Sequence, residues 1–154
     1  MLYERTLVPF DGSKFAKKAL DEAIKIAENT NSQIYLCTVV TISNVIPPGS
    51  LMGLIKNVST REVRSKLIRS AKVEAEKMLS YQASICKLKG VKANYNIITN
   101  GNISEELLKI AKQKLIDLII IGSQGLHGIH RVKTLGSVSR KISELADCPV
   151  LIVR

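Results

Sequence analysis

The stretch Leu118-Ile119-Ile120-Ile121-Gly122-Ser123-Gln124-Gly125-Leu126-His127-Gly128, followed by Gly136-Ser137, decides how this chain folds. An apolar run ends in glycines spaced three apart, and a segment of helical period begins at Ser137. A short apolar run bounded by turn residues reads as a buried strand. Glycines in the connection let backbone N–H groups turn toward an anion, and a helix N-terminus adds unpaired donors and a favourable dipole. The loop is therefore the candidate phosphate cradle. It is not a P-loop, because no lysine follows a glycine as G-x-x-x-x-G-K-[ST] requires. It is not the dinucleotide fingerprint either, since G-x-x-G-x-x-G lacks the close G-x-G pair. A bare triplet equally suits a strand-to-helix connection whose glycines serve only as turn formers.

Outward from this loop, apolar runs alternate with segments of helical period. Strands are expected at Thr6 to Pro9, Gln33 to Val40, Lys92 to Ile98, Leu115 to Ile121 and Pro149 to Val153. Helices are expected at Lys14 to Asn29, Val58 to Leu88, from Ser104-Glu105-Glu106 onward, and Ser137 to Ala146. In the first, Phe15, Ala19, Ala23, Ile26 and Ala27 form one stripe. The alternation implies a doubly wound α/β fold: a parallel sheet of five strands with helices on both faces, because each right-handed crossover lays its helix on the sheet. The irregular stretch Thr41 to Asn57 holds Pro47-Pro48-Gly49 and is long for a connector, which suits a mobile segment or a lid.

A chain of 154 residues is the size of one domain, here residues 1–154, and can bury a substantial core. Hydrophobic residues at 45% and charged residues at 23% exclude a disordered or fibrous class. No signal-peptide apolar region follows the N-terminus, and the run Leu115 to Ile121 is interrupted by Asp117 and too short to span a bilayer. A soluble, cytoplasmic protein without membrane association is the expectation. Cys37, Cys86 and Cys148 are odd in number and never spaced C-x-x-C, so reduced, buried thiols are expected. His127 and His130 stand three apart without a nearby carboxylate or thiol, so no metal site is assigned.

Net charge is +10, and the excess is uneven: from Lys56 to Lys92 there are ten basic residues against three acidic. Such a stretch attracts nucleic acid, anionic lipid or an acidic partner, or is the solvated face of a long helix. With no Trp, two Phe and four Tyr, stacking platforms are scarce, so nucleic acid is not the expected partner.

In doubly wound sheets ligands bind beyond the carboxyl ends of the strands, where strand order reverses. After the first strand comes Pro9-Phe10-Asp11-Gly12-Ser13. Asp11 can accept from a ribose hydroxyl or hold a metal-bound water, while Asp11 or Ser13 can also cap the helix starting near Lys14.

Together, Val8 to Ser13 (V-P-x-D-G-S), Cys37-Thr38-Val39-Val40, Gly101, Ile121-Gly122-Ser123-Gln124-Gly125, Leu135-Gly136-Ser137-Val138 and Cys148-Pro149-Val150-Leu151-Ile152-Val153 resemble the universal stress protein family over essentially the whole chain. The resemblance implies the strand order 3-2-1-4-5, which brings the Asp11 turn and the glycine loop together. It implies membership of the subgroup that binds ATP (or AMP or ADP), with Mg as a companion, through G-x2-G-x9-G-[ST], matched here by Gly122, Gly125, Gly136 and Ser137. On that pattern Asp11 lies near the ribose, the backbone of Val39 addresses adenine, and Gly125, Gly136, Ser137 and Val138 hold phosphates. Pro9, Ser13, Gly122, Ser123 and Gly128 complete the expected binding set, and no residue is assigned a catalytic role. The chain departs from the pattern in one respect: ten residues, Leu126 to Leu135, separate Gly125 from Gly136 where the family has nine. The extra residue is either absorbed as a bulge near His130 to Thr134 or shifts Gly136-Ser137 away from the phosphates. His127, His130, Arg131 and Lys133 in that stretch add positive charge toward a triphosphate or are simply solvated.

The resemblance also implies a homodimer through the C-terminal strand, for which Val150 to Val153 is an apolar edge candidate. The expected function is an adenine-nucleotide-dependent regulatory module of a stress response acting on an unidentified protein partner. The alternatives are a slow Mg-dependent ATPase, for which no dedicated base or P-loop lysine is evident, and a nucleotide-independent interaction protein using its basic helix.

Overall fold

Each apolar run becomes a strand of one parallel sheet. The computed structural model describes residues 2–45, 61–126 and 134–154. In chain order it holds β1 (Arg5–Pro9), α1 (Lys14–Thr30), β2 (Gln33–Val40), a single turn α2 (Ile42–Val45), α3 (Arg61–Leu88), β3 (Ala93–Thr99), α4 (Ile103–Gln113), β4 (Leu118–Gly122), α5 (Ser137–Leu145) and β5 (Val150–Val153). The strands lie in the order β3-β2-β1-β4-β5, the order the family resemblance implies, and every pairing is parallel.

Burial follows from that arrangement. All of Leu118 to Gly122 is buried, because β4 is covered on both faces. On one face, α1 and α3 pack Ala16, Ala19, Leu20, Ala23, Leu79 and Cys86 against Val8, Ile34, Leu36, Leu118 and Ile120. On the other, α4 and α5 pack Leu107, Ile110, Ala111 and Ile142 against Leu7, Cys37, Val39, Ile119 and Ile121. Each fully buried Leu or Ile contributes roughly 1.5–3 kcal/mol through removal from water. The alanines along the inner stripe of α1 let that helix lie close to the sheet.

Most boundaries fall within one residue of the sequence expectation, and the starts of β4 and α4 show what moves them. β4 begins at Leu118 rather than Leu115, because Leu115 adopts a left-handed conformation (φ 52°) and Ile116 N–H donates to Ala111, closing off α4. Asp117, the charge that interrupts the apolar run, accepts from the Glu4 and Arg5 amides at 2.8 and 3.0 Å. It pins the start of β1 beside the start of β4. Helix α4 begins at Ile103 rather than Ser104, and Asn102 caps it: its side chain accepts from Glu105 N–H. Of the irregular stretch Thr41 to Asn57, only Thr41–Val45 is described and it carries α2; the lid reading falls on residues 46–57, outside the described set, as does the expected helical start at Val58.

Candidate functional site

From the adjacent strands β1 and β4 the chain departs in opposite directions, toward β2 and toward β5, and this opens a crevice at their carboxyl ends. Beyond β1, the Phe10 amide donates to Cys37 C=O at 2.8 Å and the Thr38 hydroxyl donates to Phe10 C=O, which fixes the exit of the strand. The Phe10 ring is buried. The chain then reverses sharply. Asp11 Oδ1 accepts from Ser13 N–H at 2.9 Å, and Gly12 between them takes a positive φ of 80°, where a side chain is strained. Ser13 Oγ accepts from Ala16 N–H at 3.1 Å and caps α1. Capping therefore falls to Ser13, leaving the second Asp11 oxygen to reach across the crevice. That oxygen accepts from Leu126 N–H at 3.2 Å.

The loop beyond β4 is fastened at both ends. Ser123 N–H donates to Val153 C=O at 2.8 Å, continuing the sheet pattern. Ser123 C=O accepts from Gly136 N–H at 2.8 Å and from Ser139 Oγ at 2.9 Å. Gln124 Nε2 donates to Thr134 C=O at 3.1 Å. The ten-residue spacer thus leaves and returns at neighbouring points, and Gly136 is the N-cap of α5. As a glycine it supplies no side-chain cap to that helix. The first N–H groups of α5, on Ser137, Val138 and Ser139, have no intrahelical acceptor, and the helix dipole makes their surroundings electropositive.

Gly125 lies so near Asp11 that a Cβ built on it would stand 2.9 Å from Asp11 Oδ2. Asp11, Gly125 and the glycine-capped start of α5 are therefore brought to one place. Gly122 faces elsewhere: a Cβ there would stand 2.7 Å from the Phe15 carbonyl carbon, in the first turn of α1. Val39, next to last in β2, stands beside this crevice, its side chain buried and its carbonyl accepting from Asn44 Nδ2 at 2.9 Å. Asn44 Oδ1 accepts in turn from Thr41 N–H at 2.7 Å, so one carboxamide fixes the exit of β2. Pro9 closes β1. Gly128, with His127, His130, Arg131 and Lys133, lies outside the described residues.

Burial, with the nearby Glu106 carboxylate adding to it, pushes the Cys37 thiol up to about 12, so it stays protonated at neutral pH. Burial raises Cys86 and Cys148 as well. Cys148 is half-buried, where the sequence suggested a buried thiol. Among the described residues no group of three His, Cys, Asp or Glu side chains could hold a metal ion, and no helix is long and apolar enough to cross a membrane.

Sequence reasoning passed over Ser139 and Asn44, and it placed Phe15 in the stripe of α1 without its closeness to Gly122. Ser139 had a signal, a hydroxyl three residues after a glycine cap, in reach of the exposed carbonyls around it. Asn44 followed a strand end in a stretch read as irregular, and nothing in the sequence joined Phe15 to Gly122.

The model of the Universal stress protein family matches residues 2–154. The chain is 36% identical over 155 residues to the universal stress protein YxiE of Bacillus subtilis, covering 99% of this chain and 100% of that one. Among solved structures, the universal stress protein UspA from Lactobacillus plantarum superposes with a TM-score of 0.80 at 25% identity, covering 99% of this chain and 98% of the other. A universal stress protein from Archaeoglobus fulgidus, solved in complex with dAMP, superposes with a TM-score of 0.65 at 20% identity over 100% of both chains, a likeness of fold.

Proposed function

The chain belongs to the universal stress protein family, and from that premise we propose that it binds an adenine nucleotide in the crevice between β1 and β4 and acts as a cytoplasmic, nucleotide-dependent regulatory module of a stress response. One observation carries this reading: Asp11, Gly125 and the glycine-capped N-terminus of α5 converge at the point where strand order reverses. A glycine at the cap and another against the acidic turn leave backbone donors open to a phosphate group. The dAMP bound by the Archaeoglobus protein supports an adenine nucleotide as the ligand class.

In this reading Asp11 accepts from a ribose hydroxyl, and the nucleotide takes the place of its contact with Leu126. The backbone of Val39, held by Asn44, meets the adenine edge. Gly125, Gly136, Ser137 and Val138 present N–H groups to the phosphates. Pro9, Ser13, Gly122 and Ser123 hold the two turns in place. ATP, ADP and AMP share the features recognised, and Mg²⁺ accompanies the polyphosphate rather than a protein ligand cluster. The test is calorimetric titration of nucleotide-stripped protein with ATP and Mg²⁺, with mass analysis of whatever co-purifies. Micromolar or tighter binding is expected. Neither binding nor retained nucleotide would reject the proposal and leave a family fold used as a protein-binding scaffold.

We also propose a homodimer through β5. Among the described residues that strand pairs only with β4, and Leu151 on it is 40% exposed. Two copies pairing this edge would form an isologous contact. Leu151→Asp is expected to yield monomers in sedimentation experiments where the unaltered chain sediments as a dimer. A variant that stays dimeric would move the interface to another surface.

A further inference from the structure

The basic excess noted in the sequence has a definite place in the fold. Helix α3 has 28 residues and β3, which follows it, has seven. These lengths correspond to about 42 Å of helix and about 23 Å of strand. Because α3 runs antiparallel to the sheet, its N-terminal part must overhang the carboxyl edge. Met78 reaches toward that edge, its Sδ lying 3.0 Å from where a Cβ on Gly12 would stand. Ala75 and Glu76 still lie against the sheet, and the excess of helix over strand, about 19 Å, lets roughly residues 61–73 rise beyond the edge. Before Ala75 no residue of α3 is fully buried. Helix α3 packs against α2 as well as against β2 and β3.

Arg61, Arg64, Lys66, Arg69 and Lys72 are all exposed on this overhang. None takes part in the ion pairs found among the described residues. Two of the three acidic residues of α3 are otherwise engaged: Glu74 pairs with Lys77 at 3.1 Å, and Glu76 accepts from the Tyr95 hydroxyl. At 100° per residue Arg61, Arg69 and Lys72 fall within about 80° of arc, flanked by Arg64 on one side and Lys66 on the other. Val73, 50% exposed, stands among these cations.

We propose that the overhang of α3 is a docking surface for an acidic segment of a partner protein. Charge complementarity calls for a polyanion, and three features select among polyanions. The overhang carries no aromatic residue, Tyr81 lying further along α3, so it offers unpaired bases no stacking platform of its own. Ala75, Leu79 and Cys86 are buried in the core, and the apolar residues of the overhang, Val63, Leu67, Ile68 and Ala71, are each partly buried, so the overhang does not display a wide apolar face to a lipid surface. The exposed Val73 amid the cations suits a partner with carboxylates and an apolar side chain, whereas a phosphate backbone offers no apolar contact. The proposal does not depend on nucleotide binding, although the surface rises from the same edge of the sheet.

The probe is a fluorescent helical peptide of about 20 residues with glutamates at i, i+4 spacing and a central leucine. Fluorescence anisotropy is read at about 50 mM and again at about 300 mM salt. Binding is expected at low salt, weakening as salt rises. The double variant Arg69→Glu/Lys72→Glu is expected to bind at least about tenfold more weakly. Lys87→Glu/Lys89→Glu changes net charge equally at exposed positions off the overhang and is expected to bind nearly as the unaltered chain. All four substitutions are at exposed positions, and matching thermal midpoints check that both variants fold. Equal losses in the two variants would reduce the effect to net charge and overturn the proposal. So would tighter binding to duplex DNA of matched charge or to phosphatidylglycerol vesicles, or no peptide binding at the lower salt.

Discussion

Gly125→Val is expected to abolish nucleotide binding while leaving the fold intact. The added Cβ would stand 2.9 Å from Asp11 Oδ2, closer than such atoms approach, so Asp11 or the loop must move. Asp11 cannot swing away freely, because its other oxygen holds Ser13 N–H at 2.9 Å and shapes the turn into α1. The bond most readily surrendered is the longer one to Leu126, at 3.2 Å on the exposed rim. Losing it costs stability by about 1 kcal/mol or less. The ligand suffers more, since the carboxylate that meets the ribose and the loop that meets the phosphates are pushed apart together. A displacement near 1 Å at a positioned contact weakens function on the order of hundredfold. Calorimetry should therefore show ATP affinity reduced by at least that factor, with the urea midpoint nearly unchanged. Normal ATP affinity in the variant would remove Gly125 from the site.

How much of this was legible in the sequence depends on the kind of information. Buried strands announce themselves as apolar runs, so Leu118 to Ile121 and Gln33 to Val40 were readable. Alternation with helical segments then fixed the parallel architecture, and the family pattern supplied the strand order. The extension of β4 back to Leu115 failed because apolar character does not reveal a left-handed residue, and the role of Asp117 lies in a partner more than a hundred positions away. The Ser13 cap of α1 was readable because caps are local. The overhang of α3 was not readable. Its length and charge were plain, but where the helix passes the sheet edge depends on its packing against β2 and β3, which only the fold creates. The glycine loop was the hardest part. Spacing shows that a Cβ is missing and not what it would have struck, so Gly122 and Gly125 looked alike although they face different elements.

That distinction yields the largest expected loss of stability, from Gly122→Val. A Cβ at this position would lie 2.7 Å from the Phe15 carbonyl carbon, 2.8 Å from its Cβ and 2.9 Å from its carbonyl oxygen. Unlike Asp11, these are backbone and first side-chain atoms of a helix that cannot rotate out of the way. Relief requires α1 to lift from β4, and α1 is seated by Ala16, Ala19, Leu20, Ala23 and Ile24, all buried. Lifting it opens voids beneath them and drags the Ser13 cap and the Asp11 turn with it. Overpacking of this kind costs roughly 1–3 kcal/mol, and the two extra methyl groups of valine push toward or beyond the upper figure. Against a total of about 5–15 kcal/mol the variant should unfold at a clearly lower urea concentration. Gly122→Ala, with the Cβ alone, should lose somewhat less. If Gly122→Ala instead unfolds within about 0.5 kcal/mol of the unaltered chain, α1 does not lie as close to β4 as described, and the separation of a packing glycine from a binding glycine collapses. A paired result, with Gly122→Val failing in stability and Gly125→Val failing in affinity, would divide one glycine motif into a residue that seats a helix and a residue that admits a ligand.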